Sequence, residues 1–266
     1  MTDPAAGGVC RRLESMQDHG VLSADEQTER LARRITGIMD ATVRTAYLRH
    51  TLLAMPPSDV ADLLVVARAH AEARSPRHTT LLETLSLALA HESCSSLRQA
   101  ISAVLKARDQ PRLARSLCRE PSAEDQDALR VPDFGMGRPV TLGERKSLAR
   151  RHDREWIARV IRDPHPEVMR ILLLNPRLTE TDVVRLCARR PVASDVLREV
   201  FQCPRWIIRY PIKLTLVLNP YAPLDIALQL APLLHEQDVK RVLDAADLPT
   251  ELHAACRGCA DPGPLH

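Results

Sequence analysis

Two stretches of this chain use the same punctuation. Residues 172–186 read LLLNPRLTETDVVRL and residues 216–230 read LVLNPYAPLDIALQL. They align without a gap, 44 residues apart. Each gives three apolar residues and then Asn-Pro, at Asn175-Pro176 and Asn219-Pro220. Val183 and Ala227 fall eight positions after their Asn, and Leu186 and Leu230 fall eleven after it. The pattern describes an apolar helix that ends, an Asn that caps it or adopts an unusual turn conformation, and a Pro that forbids continuation. A new helix starts a few residues later. One such helix pair cannot bury its apolar side alone, so recurrence of the unit predicts stacking into a continuous core.

The rest of the composition agrees with helices. Aromatics are only 3% of the 266 residues, so the core must be built from Leu, Val, Ile and Ala. Gly is scarce at 9 residues and Pro common at 20, which favours helices with sharp boundaries over a sheet. Residues 1–22 read as a flexible N-terminus with a short helix around Arg11–Gln17. A helical region comes next, over 23–118. Its first run, Ser23–Met55, has Ser23 as N-cap, acids in its first turn and a break near Gly37 or Thr42. Ser58 is expected to cap a helix to Ala73 through Val60, Leu63, Leu64 and Ala67. Further helices are expected at Leu81–His91, Ser95–Ala107 and Pro111–Leu117. Residues 119–140 read as a linker.

From Thr141 the rhythm tightens. Thr141 and Glu144 fit a capping box, and Asp153 can cap the next helix, with Trp156, Ile157, Val160 and Ile161 as its apolar stripe. Pro166 suits a first helical turn. Thr179 and Asp182 form a second capping pair, one methylene short of the usual Glu. Pro191, Pro204, Pro211, Pro220 and Pro223 punctuate the chain from there to residue 223, and Leu248-Pro249 opens a last short helix before a flexible tail at 257–266.

On the stretches DPHPEVMR, NPRLTETDVVRLCARRP, CPRWIIRY and LVLNPYAPLDIALQL, residues 141–256 resemble a bacterial family of HEAT-like and leucine-rich-repeat-variant solenoids. The resemblance implies an all-α, right-handed HEAT-like helical-repeat solenoid, with a less regular helical N-terminal half. It also implies a scaffold or binding module rather than any particular activity. Some leucine-rich-repeat-variant proteins carry an N-terminal cysteine-ligated iron–sulfur domain. This chain lacks that cysteine cluster, so no cofactor is carried over.

Sites with a chemical signature are few. The seven cysteines are scattered, and only Cys256-Arg-Gly-Cys259 is closely spaced, without a second pair to complete a zinc site. His152, Asp153 and Glu155 are near neighbours on a helix and point in different directions. His165 lies between two prolines and reads as an exposed loop residue. No H-E-x-x-H, phosphate-binding glycine loop or G-x-S-x-G elbow occurs, so no catalytic, cofactor or metal residue is nominated. No uncharged apolar stretch nears the roughly 20 residues needed to span a bilayer, and the N-terminus lacks the features of a signal peptide, so a cytoplasmic location and no membrane contact are expected.

Two surfaces remain. PRWIIRYPIK at 204–213 interleaves basic and aromatic residues. Arg205, Trp206, Arg209 and Tyr210 are the expected contacts for a protein or peptide in a non-enzymatic scaffold, the two tryptophans having solenoid core as their other role. The second surface is basic: from Arg138 to Arg170 nine Arg/Lys face five Asp/Glu. Arg150, Arg151, Arg154, Arg159 and Arg162 would there bind phosphates of a nucleic acid. This rival resembles the HEAT-like alkylpurine glycosylases in general format only, with no match to their catalytic residues. From Pro220 onward seven acids face three bases. A basic middle and an acidic end also leave a homo-oligomer open.

Overall fold

The computed structural model describes residues 23–119 and 130–260. The short helix expected at 11–17, part of the expected linker, and residues 261–266 of the tail expected at 257–266 lie outside the described residues, while residues 257–260 of that tail are helical instead. Among those described, every regular element is helical, with sixteen α-helices and two short 3₁₀ turns and no strand. No described helix is long and apolar enough to cross a membrane.

The first half comprises α1 (Ala24–Thr36), α2 (Ala41–Leu53), α3 (Pro57–Glu72), α4 (Pro76–Ala90), α5 (Ser95–Ala107) and α6 (Pro111–Leu117). Ser23 caps α1 in a full capping box, its hydroxyl accepting the Glu26 amide at 3.2 Å while the Glu26 carboxylate accepts the Ser23 amide at 2.9 Å. The long first run breaks at Gly37. Asp40 then restarts the chain by accepting the Val43 amide at 2.9 Å. Two expected starts are corrected. Ser58 does not cap α3, because Pro57 already opens that helix after Pro56, and the Ser58 hydroxyl bonds Asp59 instead. Helix α4 starts at Pro76, several residues before Leu81, by the same use of Pro in a first turn. Ile35, Leu48, Leu52, Leu81, Leu85 and Leu105 form the centre of this half.

The second half comprises α7 (Leu142–Ala149), α8 (Arg154–Val160), α9 (Pro166–Leu173), α10 (Glu180–Cys187), α11 (Ser194–Gln202), α12 (Pro204–Ile207), α13 (Tyr210–Val217), α14 (Leu224–Leu230), α15 (Glu236–Asp244) and α16 (Thr250–Ala260). The expected caps at Thr141 and Asp153 are present, and so is Pro166 at the start of α9. The short Thr179–Asp182 pair closes both bonds, with the Thr179 amide 2.9 Å from the Asp182 carboxylate.

The repeated Asn does more than end its own helix. Asn175 is buried and donates from Nδ2 to the carbonyls of Ala149 (2.9 Å) and Arg151 (2.8 Å), while its Oδ1 accepts the Arg177 amide at 3.0 Å. Asn219 repeats the set, donating to Cys187 (2.6 Å) and Arg189 (3.0 Å) and accepting from Tyr221 at 2.9 Å. Each carboxamide thus satisfies orphan carbonyls at the end of an earlier helix, α7 or α10. The bond reaches back 26 residues in the first copy and 32 in the second. The difference accommodates α11 and α12 where the first copy has α8 alone.

The halves share packing. Helix α14 packs on α6, and Gln229 Nε2 donates to the Ser116 carbonyl at 2.7 Å. Ala71, Leu82 and Leu87 from the first half join the core of the second. Lys213 meets Glu83 at 2.7 Å with both side chains nearly buried. The described end of the linker is also packed. Phe134 enters the core, and its carbonyl accepts Arg159 at 3.0 Å. The next residue, Gly135, turns the chain out with φ +72, a conformation that suits glycine.

Candidate functional site: a cleft between the two halves

Where α2 passes the α9–α12 corner, the helices leave a cleft of 440 Å³. Thr42, Ala46 and Arg49 line one wall. Leu174, Cys203 and Pro204 line the other, above a floor that includes buried Leu87 and Leu173. Leu174 is the side chain that stands out, 69% exposed on a wall of its own cleft. Its exposure follows from helix geometry. Three consecutive apolar residues cannot all face inward at 3.6 residues per turn, and Leu172 and Leu173 take the inward directions. Beyond the cleft, α2 also presents Val43 to solvent at 57%, and the loop before it presents Met39 at 91%.

More than half of the lining residues are polar, among them the acids Glu92 and Glu199 and the cations Arg49 and Arg170. Arg170 and Glu199 form a bidentate pair at 2.9 and 2.6 Å. Gln202 is held by the Ala90 carbonyl at 3.3 Å. Burial pushes the Cys203 thiol upward, so it stays protonated and is no activated nucleophile. Arg49 has no side-chain partner among the described residues, and the Glu92 carboxylate lines the same cleft.

The nominated segment 204–213 divides. Trp206 is 1% exposed and donates from Nε1 to the Leu173 carbonyl at 2.7 Å. It is core, the other of the two roles expected for it, because its indole fills the space behind α9. Arg205 and Arg209 are exposed and lie over its ring, at 4.6 and 5.5 Å from the centroid. Arg205 also holds the Asn175 carbonyl at 3.2 Å, next to Leu174, and Arg209 pairs with Glu180 at 2.5 Å. Tyr210 is half-buried. It donates to Asp238 at 2.6 Å and accepts the His235 amide at 2.9 Å. Burial first, then Asp238, push its hydroxyl to about 12. Of this segment only Pro204 lines the cleft.

The basic stretch is mostly committed. Arg154 forks onto Asp182 at 2.7 and 2.9 Å. Arg159 holds the Phe134 carbonyl and shares the Trp156 ring with Arg151, each 5.4 Å from its centroid. Arg150 donates to Lys146 in its own helix at 3.1 Å. Only Arg162 of the five has no hydrogen-bond, carboxylate or ring partner for its side chain among the described residues. The triplet His152, Asp153 and Glu155 does not converge, since Asp153 caps α8 through the Glu155 amide at 2.7 Å. His165 is half-buried and caps α9, its Nδ1 accepting the Glu167 amide at 3.2 Å. Cys256 is buried, and the Cys259 side chain lies outside the described residues.

Sequence reasoning did not find the cleft. Thr42, Ala46 and Arg49 lie far from Leu174 and Pro204 in the chain. The surplus third leucine before Asn175 was the one local signal. Compared with known proteins, the chain matches no family model, no curated protein and no solved structure.

Proposed function

We propose that the protein is a non-enzymatic binding module, a right-handed HEAT-like repeat array carrying a helical N-terminal region, and that its cleft receives an apolar segment of a protein partner. The observation that carries this reading is Leu174, 69% exposed on the wall of a 440 Å³ cleft with a leucine floor. Pockets of this size and character bind through apolar anchors oriented by a few polar groups. Arg49 and Glu92 supply such groups. Arg205 supports the same site from behind, by holding the turn that bears Leu174. Against the nucleic-acid reading, Arg154 and Arg159 are diverted to internal partners.

Panning short random peptides on the purified full chain tests the proposal. Enriched peptides should share an apolar anchor residue. Leu174→Asp should weaken them about tenfold or more while leaving the circular dichroism spectrum unchanged. Absence of enrichment, or equal binding to Leu174→Asp, would count against the cleft.

A further inference from the structure

The turn after α8 and the turn after α10 meet at a second depression, of 220 Å³, which shares no lining residue with the cleft. Arg162 and Asp163 come from the first turn, Arg189 and Arg190 from the second, and Arg130 from the segment before α7. Four arginines therefore surround one carboxylate. That carboxylate is already occupied. Asp163 is buried, takes Arg145 Nη1 on both oxygens at 2.8 and 2.9 Å, and accepts the His165 amide at 2.9 Å. Arg190 is likewise engaged, with Asp247 at 2.6 Å and the Leu218 carbonyl at 2.6 Å.

Among the described residues, the other three cations have no carboxylate partner. Arg189 donates to the Ile161 carbonyl at 3.0 Å, which fixes the side chain without neutralising it. Arg130 and Arg162 are exposed and have no carboxylate partner among the described residues. Burial and the adjacent Arg162 lower the pKa of Arg189, so the two guanidiniums are close enough to repel. Several other arginines of this half are paired. Arg145, Arg154, Arg170, Arg198 and Arg209 each meet a carboxylate.

We infer that the depression formed by Arg130, Arg162 and Arg189 binds a phosphate dianion, as inorganic phosphate or as the terminal group of a small phosphomonoester. Guanidinium forks match phosphate oxygens in geometry and stay charged at every working pH. The depression is smaller than the roughly 300 Å³ at which pockets for drug-sized ligands begin, which suits a compact anion. Its cations line one compact depression, where a polymer of phosphodiesters needs a line of them.

Calorimetric titration of the full chain with sodium phosphate, against sodium chloride of equal ionic strength, tests this. Phosphate should bind saturably and raise Tm above the chloride control. Glycerol 3-phosphate in a second arm separates the sources: tighter binding than phosphate assigns a monoester, weaker binding assigns the free anion. Arg162→Gln should reduce affinity about tenfold or more with Tm in phosphate-free buffer unchanged. Arg189→Gln should abolish binding, but it also removes the bond to Ile161 and can disturb the turn, so the exposed Arg162→Gln decides. No phosphate effect beyond chloride, equal affinity in Arg162→Gln, or binding of an oligonucleotide without binding of phosphate each overturns the inference.

Discussion

Asn175 and Asn219 use both ends of their carboxamides. Each Nδ2 serves two carbonyls of an earlier helix end, and each Oδ1 takes the amide two residues on. A buried carbonyl that loses its donor keeps its full desolvation cost. Asn219→Ala should therefore destabilise the protein by about 1–3 kcal/mol in urea melts. Asn219→Asp should cost at least as much, because a carboxylate cannot donate to Cys187 and Arg189. A neutral result for both would mean that the carboxamide only terminates its helix.

At the scale of the element, boundaries are set by short side chains that compete for helix-end amides. Thr141 and Glu144 cap α7, and Thr179 and Asp182 cap α10 with a shorter acid. Thr141→Ala should cost about 1 kcal/mol, read by thermal or urea unfolding. Both acids also titrate low. The Arg138 guanidinium first, then Thr141, hold the Glu144 carboxyl at about 2, from an ordinary value of 4.5. Arg154 first, with Thr179 adding to it against the effect of burial, holds Asp182 well below its ordinary 3.8. A folded-state pKa below the unfolded one means that the unfolded chain takes up protons first as pH falls. The stabilisation from these carboxylates is complete above 4.5 and is lost on acidification through their folded pKa values. The part of the acid-induced fall in Tm that these two carboxylates cause should begin only near that pH, and Glu144→Gln with Asp182→Asn should flatten it. An unchanged acid slope in the double variant would remove both boxes from the acid response.

On the scale of the whole molecule, the contacts between halves argue for one cooperative unit. Gln229 reaches Ser116, α14 packs on α6, and Lys213 meets Glu83 in a nearly dry setting. Both tryptophans, Trp156 and Trp206, lie in the second half, so their fluorescence reports that half alone, whereas circular dichroism reports all the helices. The two urea transitions should coincide. Lys213→Ala should shift both downward together by about 3–5 kcal/mol, since it strands the Glu83 carboxylate. Separate midpoints would show that the halves unfold independently.

The local sequence was enough to determine the helical class, the capping boxes at Thr141 and Thr179, the Pro-led starts at Pro111 and Pro166 and the recurrence of the Asn-Pro unit. Each rests on interactions within about one helical turn, which neighbouring residues dictate. Only the tertiary structure decided which donors reach which carbonyls, and that Trp206 is core while Arg205 and Arg209 stay on the surface. It alone brought Arg49 to Leu174 and Arg130 to Arg162 and Arg189. Those pairings depend on how helices distant in the chain pack, and packing is set by the sum of many weak contacts that no single stretch of sequence contains.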